Sequence, residues 1–131
     1  NVTVIISDER ISSPILDTYD VAVVLNQQSL DKFESKVKPG GTLIYDSYGI
    51  NRVPARTDIV VHRVDAMDAT FEMQNAKAFN MLVLGALIKA KPMVAVESVI
   101  KGLKRTLPER HHNMLPMNEE ALRKGMELIQ L

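Results

Sequence analysis

Asp20-Val-Ala-Val-Val-Leu-Asn26, Gln27-Gln-Ser-Leu-Asp-Lys-Phe-Glu-Ser-Lys-Val37 and Lys38-Pro-Gly-Gly-Thr-Leu-Ile-Tyr-Asp46 run consecutively, and their reading decides the fold. Val21 to Leu25 is an unbroken apolar run with three valines. It is too short for a globular helix, and its lack of alternation predicts a strand covered on both faces, a central parallel strand. The next segment places Leu30, Phe33 and Val37 on one helical stripe, offers Asn26 or Ser29 as N-cap, and ends in Lys36 and Lys38 before Pro39. Pro39 stops that helix, Gly40 and Gly41 permit a close reversal with positive φ, and Leu43 to Tyr45 resumes as a strand. Strand, helix and strand make one right-handed crossover unit.

Outward from that unit, Val2-Thr-Val-Ile-Ile6 is β-branched and reads as a strand. Because the apolar pattern begins at once, an upstream part of the domain is expected ahead of residue 1. Ser7 and Asp8 follow, either as ordinary turn residues bonding their own backbone or as a polar pair facing a ligand. Ser13 and Pro14 are suited to starting a short helix that ends near Tyr19.

After the central unit, Asp46-Ser-Tyr-Gly-Ile-Asn51 leaves a strand end, where open parallel sheets hold their ligands. Asp58 to Val64 is a further strand containing His62, which has no second ligand-type residue at metal spacing and reads as structural or exposed. Asp65 caps a helix to Met73, Asn75 breaks it, and a longer helix follows from Ala76 to Ala90. Small residues there, including Gly85, suit close packing against a sheet or another helix. Pro92 starts another helix with Val96, Val99, Ile100 and Leu103 inward and Lys101, Lys104 and Arg105 outward. His111 and His112 read as exposed. Asn118 caps the last helix, with Leu122, Met126 and Ile129 on one stripe.

At 131 residues the chain has the length of a single domain, 1–131, able to bury roughly two-thirds of its unfolded surface without staples. It has no cysteine, so it cannot supply a thiol nucleophile or a cysteine-ligated cluster, and this fits a reducing compartment. Sixteen basic residues balance sixteen acidic ones, so no global field draws nucleic acid or a membrane surface. No apolar run is long enough to span a bilayer, and a cytoplasmic location is expected. The seven methionines show no repeat and serve as fillers of irregular core gaps. The overall expectation is an α/β, three-layer αβα domain with a mostly parallel mixed sheet and extra C-terminal helices, its N-terminal part missing.

No hydrolase elbow, phosphate loop, G-x-G-x-x-G or metal spacing is present. Lys38-Pro-Gly-Gly-Thr-Leu-Ile44 is similar to the late helix-to-strand turn of class I methyltransferases, although any doubly wound sheet can use that corner. A second resemblance persists along nearly the whole chain. Ser7-Asp8-x-x-Ile11-x-Ser13-Pro14, Asp20 to Leu25 with Asn26-Gln27, Lys38-Pro-Gly-Gly41 to Asp46-Ser47, and Asn75-x-x-x-x-Asn80-Met81-x-x-Leu84-Gly-Ala-Leu87 resemble, in that order, the gamma subunit of 2-oxoacid:ferredoxin oxidoreductases. This is the pyruvate/ketoisovalerate oxidoreductase gamma family, and the overall likeness is greatest to its 2-oxoglutarate members.

That resemblance implies a subunit, without catalysis of its own, of an enzyme that oxidatively decarboxylates a 2-oxoacid, forms acyl-CoA and passes electrons to ferredoxin. It implies thiamine diphosphate with Mg and an iron–sulfur cluster in partner subunits, CoA as substrate, and alpha, beta and ferredoxin-like partners in a hetero-oligomer. Neither nucleic acid nor membrane is among the partners, and no catalytic or metal residue is assigned here. Gln74 stands where relatives often have Gly, and the family's G-x-G-G-Q-G segment would precede residue 1. At the rim of the sheet, Asn26, Gln27, Asp46 and Ser47 are the candidate interface or CoA contacts, converging if their two strands are parallel. The plainer reading makes Asn26 a helix cap and Asp46 a turn closure. A methyltransferase-like fragment and a nonenzymatic α/β interaction module are the alternatives.

Overall fold

A computed structural model describes residues 2–13 and 15–129. Three strands, β1 (Tyr19–Val24), β2 (Val37–Asp46) and β3 (Val60–Val64), form a sheet in the order β1-β2-β3, and both pairings are parallel. Five helices accompany them: α1 (Gln27–Phe33), α2 (Ala66–Met73), α3 (Phe79–Ala90), α4 (Val96–Thr106) and α5 (Leu115–Leu128). The apolar contacts fall into two clusters. Ala22, Val24, Leu43 and Tyr45 pack with Leu30 of α1 in one, while Ile44 and Val64 pack with α2, α3 and α5 in the other. Alternate residues of β2 thus serve opposite layers, as its pleat requires.

β2 is the middle strand among the described residues, and Thr42 to Asp46 are all buried. Among the described residues β1, expected at the centre, pairs with β2 alone and stands at the edge, because the apolar run reports coverage on two faces and says nothing about strand neighbours. Asn26 holds extended backbone (φ −152°, ψ 170°), and its Oδ1 accepts from Ser29 N at 2.8 Å, which starts α1. The helix ends at Phe33, sooner than its stripe predicts, and tightens through a 3-10 turn so that Val37 already begins β2. The Arg56 guanidinium donates to the Glu34 and Val37 carbonyls there, satisfying acceptors the helix end leaves open. Between paired positions Tyr19↔Val37 and Val21↔Thr42, β2 advances five residues against two on β1. Gly40 accommodates the detour at φ 81°, with its N–H donating to Asp58 O at 2.7 Å.

Several expected elements are absent or displaced. Val2 to Ile6 is no strand: Val2, Val4 and Ile6 are largely exposed, since β propensity without a pairing partner leaves the ladder unmade. Ser7 Oγ accepts from Glu9 N, the turn chemistry expected of it. Pro14 lies outside the described residues, and Ile15 to Thr18 is not helical; Ser13 Oγ accepts from Ile15 N and closes a local turn instead. Pro92 does not start a helix, because α4 begins only at Val96, where Ala95 provides the first carbonyl acceptor. α5 begins at Leu115 rather than after Asn118, because Pro116 sits in the first turn, where its missing N–H costs nothing. His112, expected exposed, is half-buried with its Nε2 3.0 Å from Leu107 O, while His111 is exposed.

Gly85 meets its expectation of close packing. A Cβ there would collide with Leu122 O of α5, and one at Gly125 would collide with Leu82 O of α3. Gln74, at φ 53°, ends α2 with its N–H on Phe71 O and Asn75 N–H on Thr70 O, and Asn75 Oδ1 then caps the turn into α3.

Candidate functional site

Parallel pairing carries the ends of β1 and β2 to the same edge of the sheet, with Val24 opposite Tyr45. Asn26 and Gln27 emerge from one strand there, and Asp46 and Ser47 from the next. The following turn lies against the first strand end, since a Cβ on Gly49 would approach Leu25 O to 2.9 Å. All four candidate residues therefore occupy one rim.

Their side chains are engaged in different ways. Asn26 is exposed and caps α1. Gln27 is half-buried, accepts from Asn51 N at 2.7 Å and donates to Asp31 Oδ1 at 3.0 Å, so it fastens the rim loop to α1. Arg52 reinforces that attachment by bridging Asp31 at 3.1 Å and Glu34 at 3.0 Å. Those contacts hold the Asp31 carboxyl below its ordinary range, the Gln27 hydrogen bond contributing most and Arg52 next. Ser47 is half-buried and donates to Asp65 Oδ1 at 2.6 Å.

Asp46 lies beneath the rim at 2% exposure. Its Oδ1 accepts from Tyr48 N at 3.4 Å and its Oδ2 from Met67 N at 3.2 Å, so one carboxylate closes the turn and caps α2 from another strand. Burial pushes its pKa up, against those two hydrogen bonds, with Asp68 and Asp65 adding to the rise. Asp65, expected to cap α2, makes no such bond; its Oδ1 instead accepts from the Ser47 hydroxyl and Arg63 Nε, which lower its pKa, Ser47 first. Sequence reasoning missed this exchange of partners, since Asp46 and Met67 are 21 residues apart.

Beside the rim, a cavity of about 500 Å³ runs along β1 and α1 and includes Asn26, Ser29, Lys32 and Lys36 in its wall. Both lysine ammonium groups lie over the Phe33 ring, at 5.2 and 5.8 Å from its centroid. Asn26 and Ser29 stand toward the rim end of this groove, and Lys32 and Lys36 toward its far end, where Phe33 meets Tyr19 at the start of β1. His62 is buried on β3 opposite Ile44, and the described residues hold no group of three or more His, Cys, Asp or Glu able to bind a metal. No helix among them is long and apolar enough to cross a membrane.

The family model described as pyruvate ferredoxin/flavodoxin oxidoreductase matches residues 1–128. The chain belongs to this family. Its relatives include the ketoisovalerate oxidoreductase subunit VorA of Methanothermobacter thermautotrophicus, 33% identical over 126 residues, covering 95% of this chain and 26% of VorA. Among solved structures of the fold, the gamma subunit of a keto/oxoacid ferredoxin oxidoreductase from Geobacter sulfurreducens superposes with a TM-score of 0.78 at 23% identity, covering 93% of this chain and 66% of that one. A 2-oxoglutarate:ferredoxin oxidoreductase from Magnetococcus marinus, with 2-oxoglutarate, coenzyme A and succinyl-CoA bound, gives 0.73 at 24% identity, covering 93% of this chain and 21% of that one. The chain thus spans about a quarter of VorA and two thirds of the gamma subunit. Family membership displaces the methyltransferase-like alternative, whose only support was the Lys38 to Ile44 corner.

Proposed function

We propose that residues 1–131 work as one domain, the gamma-subunit part of a 2-oxoacid:ferredoxin oxidoreductase. The observation that carries this reading is the family match over residues 1–128, supported by the shared fold. Alpha and beta subunits would hold thiamine diphosphate and Mg, and an iron–sulfur cluster would lie outside this chain, which has no cysteine to ligate one. The chain itself serves assembly and CoA handling, in the cytoplasm, and 2-oxoglutarate is the proposed substrate, in keeping with the overall likeness of its motifs.

Asn26, Gln27 and Ser47 hold the rim together with one part of their hydrogen-bonding capacity, and what remains is suited to the amides of a pantetheine arm. Lys32 and Lys36, in the wall shared with Asn26, offer charge for the phosphates of CoA. Asp46 acts from below, holding the turn and α2 in register with the strand ends. Acyl transfer and electron flow belong to the partner subunits, so this chain binds and orients.

Co-expression with candidate alpha and beta subunits tests the proposal. Assembly should require this chain, and CoA-dependent reduction of ferredoxin should be fastest with 2-oxoglutarate when compared with pyruvate and 2-ketoisovalerate. Full activity and normal assembly in its absence would refute the role. Preference for another acid would refute the substrate alone.

A further inference from the structure

Tyr48 and Phe71 form an aromatic pair that the rim chemistry does not use. Tyr48 belongs to the turn after β2 and Phe71 to α2; their rings meet edge to face with centroids 5.5 Å apart, yet they are 63% and 57% exposed. Phe71 also walls a cleft of about 460 Å³ with Met67, Ala76 and Phe79. Two large aromatics in mutual contact beside an apolar cleft are the composition of an interface anchor.

The chemistry around the cleft selects among occupants. A polar cofactor requires convergent free hydrogen-bonding groups. Here the Thr70 hydroxyl donates to Ala66 O within its own helix and Asn75 Oδ1 accepts from Lys77 N, so the exposed Gln74 amide is the remaining polar side-chain group of the wall and converges with no other. Asp68 and Glu72, both exposed, lie three residues before and one after Phe71 on α2, and neither joins an ion pair among the described residues. Arg63 is committed to Asp65, and Lys77 is the cation carried by the turn that supplies Ala76. Carboxylates in this position repel a phosphate-bearing ligand and attract a basic one.

We propose that this face docks a protein segment presenting an aliphatic or aromatic anchor flanked by lysine or arginine. The anchor enters the cleft between Phe71 and Phe79, and the flanking cations meet Asp68 and Glu72. This surface is separate in charge from the Lys32 and Lys36 wall, and the inference does not depend on which 2-oxoacid is used.

The test is fluorescence anisotropy of the full chain with labelled synthetic peptides sharing a central Leu-Phe pair, flanked in one by lysines and in the other by glutamates. The lysine peptide should bind and the glutamate peptide should not. Phe71→Ala should weaken binding about tenfold or more, and Asp68→Asn with Glu72→Gln should weaken it and flatten its salt dependence. Val53→Ser, at an exposed apolar residue outside the face, should leave it unchanged. Circular dichroism of each variant establishes that it is folded. Equal binding of both peptides, indifference to Phe71→Ala in a folded variant, or displacement of the peptide by CoA would overturn the proposal. Concentration-dependent self-association abolished by Phe71→Ala, without peptide binding, would assign the face to a second copy and overturn it equally.

Discussion

Gly85 of α3 and Gly125 of α5 are reciprocal: each lies against the opposite helix at a carbonyl, Leu122 O for Gly85 and Leu82 O for Gly125, where no Cβ fits. Both helices approach through hydrogen-sized side chains, and Leu82 and Leu122 fill the space beside them with no exposure. Gly85→Ala or Gly125→Ala must push the two backbones apart. Each should cost about 1–3 kcal/mol, despite the better helix propensity of alanine. Urea unfolding of the single and double variants checks this, and the double loss should differ from the sum, because the sites share one contact.

Gln74 adopts left-handed backbone at φ 53° to terminate α2. An L side chain there is strained by about 1–2 kcal/mol, of which glycine gives back part through its more flexible unfolded chain. Gln74→Gly should therefore raise stability by about 0.5–1 kcal/mol, read as a shifted denaturation midpoint at constant slope.

Asp46 supplies a pH dependence opposite in sign to its neighbours. Its folded pKa is raised by burial, so its contribution to stability is fully present below the ordinary value of 3.8 and falls as pH rises through the folded pKa. Asp31, Asp58 and Asp65 are lowered, so theirs is present above 3.8 and lost as pH falls through their folded values. Asp46→Asn leaves one acceptor oxygen for two backbone donors, Tyr48 N and Met67 N, and should cost about 1 kcal/mol at neutral pH. The deficit of the variant relative to the wild type should grow as pH is lowered toward 3.8. Urea titrations of both proteins across that range would show it.

At the rim, Gln27→Ala loosens the attachment of Asn51 to α1 and should cost about 1 kcal/mol of stability. If the rim contacts CoA as proposed, Gln27→Ala and Ser47→Ala in the reconstituted enzyme should also raise KM for CoA. The 2-oxoacid KM should stay unchanged. Unaltered CoA dependence in both variants would leave the rim a purely structural feature.

Val2, Val4, Ile6 and Ile15 are 90, 72, 63 and 80% exposed. β1 pairs only with β2 among the described residues, leaving its other edge open. The isolated chain should self-associate, and Val4→Lys with Ile6→Lys should reduce that association. Sedimentation velocity over a range of concentrations measures both.

What the residues determined by themselves was local: the apolar run of β1, the Asn26 cap, the positive φ of Gly40, the break at Asn75 and the small face of α3 all follow from nearest-neighbour sterics and helical or strand period, whereas Gly40 turned out to bend β2 from within and Gln74 to take the left-handed stop that local sterics disfavour. The parallel rim that gathers Asn26, Gln27, Asp46 and Ser47 was legible too, because two like strands joined by a helix leave their ends on one edge. Only the tertiary structure decided matters that depend on competition between distant groups. Asp65 stands where a cap belongs, but its Oδ1 turns to Ser47 and Arg63 and Asp46 caps α2 from the neighbouring strand. Val2 to Ile6 has the residues of a strand without a strand beside it, and Gly125 owes its identity to Leu82 O on another helix. A hydrogen bond or a close contact needs both partners in place, and local sequence specifies only one of them.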